Sequence, residues 1–174
     1  GVRLVGSEMC IRDRLYNGSV TYCAEDEVVI NFASEQLEEE QAFYAICSGQ
    51  LFLQLVGDLN DVEGEHIAAK FKLAVHSGQA VSGLYSPVTQ EKNNLTGKTL
   101  DITRVICDEA PNNSLLISER CFTHVGADTR INAEEYSIVD DDMQIITYLS
   151  NEPMSDYKLL LERQAIQLVT LYTD

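Results

Sequence analysis

What most limits the folds open to this chain is the order in which its apolar period changes. Two β-branched and aromatic runs, "SVTYC" (19–23) and "EVVINFA" (27–33), flank the acidic Ala24-Glu25-Asp26 and predict a hairpin with carboxylates at its tip. A long helix follows, from an N-cap at Ser34 to about Asn60, with Ala42, Ile46, Gly49, Leu53 and Val56 at helical spacing. "KFKLAVHSG" (70–78) and "QAVSGLYS" (79–86) then predict a second strand pair joined by a tight Ser-Gly turn, and 87–96 a polar arm. Beyond it come a helix from Thr99 to Glu109, a buried strand "SLLIS" (114–118), a short helix from Glu119 to Val125, and strands near 136–139 and 144–149. Tyr157, Leu160, Leu161, Ala165, Leu168 and Tyr172 form one face of a terminal amphipathic helix within 151–174. Strand pairs alternating with helices in this way describe an α+β sandwich, an antiparallel sheet with helices on one face. A βαββαβ core fits if its first strand is missing.

The 174 residues suit one domain large enough to bury a sizeable core. The net charge is −16, and from Leu15 to Ala69 there are eleven acidic residues and no Lys or Arg. Such a surface repels a phosphate backbone and an anionic membrane, so neither nucleic acid nor direct membrane contact is expected. Glu38-Glu39-Glu40 fit the first turn of a helix, where carboxylates complement the macrodipole. Asp140-Asp141-Asp142 lack the spaced ligands of a calcium loop and predict a solvated turn. Cys10, Cys23, Cys47, Cys107 and Cys121 form no CxxC pair and are odd in number, which predicts free thiols and a cytoplasmic setting. His66, His76 and His124 show no zinc-like spacing with them.

"SEMCIRDR" (7–14) resembles the translation of a sequencing adapter. Residues 1–14 are therefore set aside from the fold as a non-native segment, which implies an authentic N-terminus lost upstream of the 15–150 domain.

"NLTGKTLDITRV" (94–105) contains Gly97-Lys98-Thr99, the ending of a P-loop. A P-loop needs another glycine five positions earlier to curl its backbone amides around phosphate. That position is Lys92, so the phosphate-cradle reading fails. Together with "LAVHSGQAVSG" (73–83), "LLISERCF" (115–122) and "AEDEVVINF" (24–32), the stretch instead resembles the class III adenylate and guanylate cyclase catalytic domain. In that family an acidic hairpin, a "G-I-H-T-G" strand, a variable arm, a "G-D-T-V-N-x-A-x-R" helix and an "I-L-I-S" strand follow in the same order. The likeness spans about residues 18–149.

The resemblance implies a ferredoxin-like cyclase-homology domain in which two copies, or two different cyclase domains, meet head to tail and share a cleft. There ATP or GTP is closed to a cyclic monophosphate with release of pyrophosphate, on two Mg²⁺ (or Mn²⁺) ions held by two aspartates. Asp26 matches the second of those aspartates, and the first would lie on the strand lost before residue 15. Tyr22 takes the place of the base-selecting lysine and Asn94 that of the base-selecting aspartate; Thr99, at the start of the cyclase helix, is a third candidate for nucleotide binding. Asp101 replaces the ribose-orienting asparagine. Val105 replaces the catalytic arginine; its neighbour Arg104 is about 100° around the helix and points elsewhere unless a bulge intervenes. His76 matches a structural strand histidine, and Lys98 is read as a surface residue.

These departures imply a degenerate cyclase-homology domain, a dimerising or regulatory module that needs no metal. The alternative is an active class III cyclase, with Asp101 and Arg104 as catalytic residues and Asp26 on the metal. A ferredoxin-like scaffold with convergent likeness is a third reading.

Overall fold

The computed structural model describes residues 18–23, 26–32, 37–63, 71–79, 81–82, 95–153 and 163. The predicted Ser34 cap, most of the polar arm and the amphipathic stripe at 157–172 fall outside them. β1 (Ser19–Cys23) and β2 (Val28–Asn31) form the predicted antiparallel hairpin, Tyr22 opposite Val29 and Cys23 opposite Val28. α1 (Glu38–Glu63) opens with its three carboxylates in the first turn, and the Leu37 carbonyl accepts the amides of Glu40 and Gln41. Its buried residues are Ala42, Phe43, Ile46, Cys47, Ser48, Gly49, Leu51, Phe52 and Leu55. Leu53 and Val56, expected on this face, are only partly buried. The helix is apolar on most of its circumference, so spacing alone does not single out the stripe that packs.

β3 (Lys72–Val75), β4 (Val81–Ser82), β5 (Leu95–Thr96), α2 (Lys98–Glu109), β6 (Ser114–Ser118), β7 (Ile131–Asp140) and β8 (Met143–Pro153) follow in the chain. A π-helical turn at Arg120–His124 and a 3₁₀ turn at Ala127–Thr129 separate β6 from β7. The central sheet has the order β3-β6-β8-β7, with β6, β8 and β7 antiparallel as expected. β3, however, joins β6 in parallel, so the sheet is mixed. The parallel pair is started by Asn113, whose side chain accepts the Phe71 amide while its own amide donates to the Phe71 carbonyl.

Two further particulars differ from expectation. β3 and β4 do not pair; β4 pairs with β5, within the segment read as a polar arm. The Ser-Gly stretch serves another purpose there. A Cβ on Gly78 would lie 2.7 Å from Thr99 Oγ1, so the absence of a side chain lets the first turn of α2 close over it. The helices also occupy both faces of the sheet. Leu115, Ile117, Leu73 and Val75 pack with Ala42, Ile46, Leu51 and Leu55 of α1. Leu116, Ala74, Ile138 and Leu149 pack with Ile102, Val105, Ile106 and Ala110 around α2. The signal was present in "SLLIS", whose adjacent leucines must point to opposite faces and are both buried.

β7 and β8 run well beyond the predicted segments because Asn132, Glu134, Glu135 and Ser137 are exposed and mask the strand pattern. Asp141 (φ 45°) and Asp142 (φ 63°) form the two-residue turn between them, in the left-handed region that short polar side chains tolerate.

Candidate functional site

The acidic hairpin and α2 do come together. Asp26 is exposed at the bend between β1 and β2, and beside it Glu27 Oε1 accepts from Arg104 Nε of α2 at 2.8 Å. α2 starts at Gly97, whose φ of 117° favours glycine; the Gly97 carbonyl accepts the amides of Leu100 and Asp101. Its inward residues Ile102, Val105 and Ile106 pack on the sheet, which leaves Asp101, Arg104 and Asp108 exposed. The helix is continuous through Arg104 and Val105, so no bulge brings Arg104 into the position of Val105. Arg104 instead lies across from the hairpin and Val105 is half-buried in the core, as the helical angle required.

The other predicted residues distribute as follows. The Thr99 hydroxyl donates to the Gln79 carbonyl and the Thr99 carbonyl accepts from Thr103 Oγ1, which makes Thr99 a joint between α2 and the segment after β3. The Tyr22 backbone sits in β1; its side chain, and all of Asn94, lie outside the described residues. Lys98 is exposed, as read. Glu27 was not singled out in the sequence, where it is one more acid in an acidic run.

A second polar group, in which the sequence had marked only His76 as a structural strand histidine and Glu38 as a first-turn carboxylate, gathers where β3 and β6 end. The Ser77 hydroxyl donates to Glu38 Oε1 at 2.6 Å, and Arg120 Nη2 reaches the same oxygen at 3.2 Å. His76 Nδ1 lies 2.8 Å from Ser118 Oγ, which also accepts the Cys121 amide at 3.2 Å. The Ser118 hydroxyl keeps a second lone pair as well as its proton, so it pairs with Nδ1 as donor or as acceptor according to the His76 tautomer. These bonds join the start of α1, the ends of β3 and β6, and the π-helical turn. The Ser77 hydrogen bond, followed by Arg120, holds the Glu38 carboxyl below its usual range. Burial, followed by the Arg120 charge, lowers the pKa of His76.

The His76 shift has a definite sign. The folded protein releases this proton more readily than the unfolded chain, so the unfolded state binds more protons just below its ordinary pKa of about 6.5. Stability is therefore full above that value and falls as pH drops through it toward the folded pKa. A melting temperature followed from about pH 7 to about pH 5.5 should decline more steeply in the wild type than in His76→Asn, which keeps a polar atom near Ser118 but cannot titrate. Equal slopes would show that His76 carries no such linkage.

Cys47, Cys107 and Cys121 are free thiols. Burial pushes Cys47 and Cys121 up to about 12, and burial, then Asp108, raises Cys107, which disfavours the thiolate at all three.

A two-metal centre needs paired carboxylates. At the hairpin the described residues offer Asp26, with Glu27 engaged by Arg104, and among the described residues no three His, Cys, Asp or Glu side chains gather as a metal site. The described residues thus fall short of that donor set. Among them, too, no helix is long and apolar enough to cross a membrane.

No protein-family model matches the chain and no curated protein does. Solved structures do. The adenylyl cyclase CyaB from P. aeruginosa aligns with a TM-score of 0.72 at 16% identity, over 86% of this chain and 79% of that one. The catalytic core of a rhodopsin-guanylyl cyclase with converted specificity, in complex with ATPαS, gives 0.69 at 14% over 83% and 77%. The guanylyl cyclase Cya2 gives 0.66 at 15% over 86% and 78%. The chain has the fold of the class III cyclase catalytic domains.

Proposed function

We propose that this chain is a catalytically degenerate cyclase-homology domain, pairing with a copy of itself or with another cyclase domain as a regulatory module of a signalling protein. The domain is assigned to residues 15–150. Support comes from the shared fold combined with the chemistry of the substituted positions. Asp101 brings an anion where a neutral asparagine would orient ribose, and Tyr22 brings a phenol where a lysine would read the base.

One observation carries the reading. Val105, which the resemblance sets at the arginine's position, packs against the core, while the neighbouring cation, Arg104, is held by Glu27. A preorganised charge missing from a phosphoryl-transfer transition state costs about 3 kcal/mol, a hundredfold or more in rate. An added carboxylate near the phosphates raises the barrier further.

The test is incubation of the protein with ATP or GTP and Mg²⁺ or Mn²⁺, with cyclic nucleotide measured by mass spectrometry. No product above the enzyme-free rate is expected. Product that disappears in Asp26→Ala would overturn the reading in favour of an active cyclase.

A further inference from the structure

We infer that Glu27 is a built-in anion that occupies Arg104 and so keeps the triphosphate group of a nucleotide out of the cleft. The inference rests on the functional reading above and adds the device that enforces it.

The argument begins with geometry. Glu27 and Arg104 are far apart in sequence, on a hairpin and a helix, yet Oε1 and Nε meet at 2.8 Å. A guanidinium N–H directed at a carboxylate oxygen is the same interaction that it makes with a phosphate oxygen, so one nitrogen cannot serve both at once. The side chains are 43% and 37% exposed, so the pair lies where a ligand arriving from solvent would meet it. Exposure also limits its strength, and an exposed pair of this kind can be displaced. On α2, Asp101 lies one turn before Arg104 and Asp108 one turn after; both are exposed, and Asp26 adjoins Glu27. Arg104 therefore sits among carboxylates and Glu27 neutralises it, while exposed Lys98 at the start of α2 and Lys72, whose Nζ donates to the Asp108 carbonyl at 2.7 Å, are further cations nearby. Without Glu27, a triphosphate gains a donor and loses one repelling charge.

Isothermal titration of the full chain with ATP and with inorganic triphosphate, in low salt without divalent metal, measures this directly. Glu27→Gln is expected to bind both about 5- to 10-fold more tightly than the wild type, the gain shrinking as salt screens it. Glu27→Gln combined with Arg104→Ala should return to the wild-type affinity. Unchanged affinity in Glu27→Gln overturns the inference, and so does a gain that survives loss of Arg104, which would reflect bulk charge alone. A gain for ATP without one for triphosphate also overturns it, since the effect would then lie at the base. Melting curves of each variant confirm folding; an exposed pair removed in this way shifts stability by less than about 1 kcal/mol. The two readings fail separately. Cyclic nucleotide from the wild type would refute catalytic silence, whereas a null result for Glu27→Gln would leave silence standing and remove Glu27 as its cause.

Discussion

Leu116→Ala is expected to lower the unfolding free energy by about 2–5 kcal/mol. Leu116 is fully buried on β6, a strand with neighbours on both sides in the sheet, and packs with Ile106, Ala110 and Ile138 beneath α2. Truncation loses apolar transfer energy and leaves a cavity that two flanking strands cannot close. In a chain of this size each kcal/mol moves the melting temperature by about 2–4 °C, so a drop of roughly 4–20 °C should be seen. Hydrogen exchange adds a spatial test, because amides of α2 should lose protection while those of α1, on the opposite face, change less. Leu116→Met, nearly equal in volume, should cost under about 1.5 kcal/mol. A small effect from alanine, or equal deprotection of the two helices, would contradict the two-faced packing.

Ser118→Ala is expected to destabilise by about 1–3 kcal/mol although it removes a single oxygen. That oxygen accepts the Cys121 amide and faces His76 Nδ1, and Ser118 is 4% exposed. Its loss leaves a buried donor and a half-buried ring nitrogen without this partner, and the desolvation of unpaired groups costs more than the net worth of either bond. The turn at Arg120–His124 should loosen with it, because the Ser118 hydroxyl anchors its second residue. Ser118→Thr, which retains the hydroxyl, should restore most of the loss. Chemical denaturation reads both variants, and a Ser118→Ala midpoint equal to wild type would show that water replaces the hydroxyl without penalty.

The two positions were unequally legible in the sequence. Leu116 stands in an apolar run that announces a buried strand whatever surrounds it. Ser118 ends the same run as an ordinary polar residue, and its importance depends on His76, which is distant in the chain. The same contrast holds between the hairpin and α2. The angle separating Arg104 from Val105 follows from residue order and helical geometry. That Arg104 meets Glu27 does not, because every carboxylate of an acidic stretch is an equal candidate until the hairpin is placed against α2.

By itself the sequence determined the alternation of strands and helices, the glycine opening of α2, the acidic hairpin tip and the exclusion of a P-loop. All of these depend on local period, turn chemistry or motif spacing. Tertiary structure decided that β3 joins β6 in parallel, that α1 and α2 cover opposite faces, which stripe of α1 is buried, and which carboxylate holds Arg104. The physical reason is range. Propensity and amphipathic period act over a few residues, whereas strand order and ion pairing depend on which distant surfaces exclude water from one another, and many pairings satisfy the same local pattern.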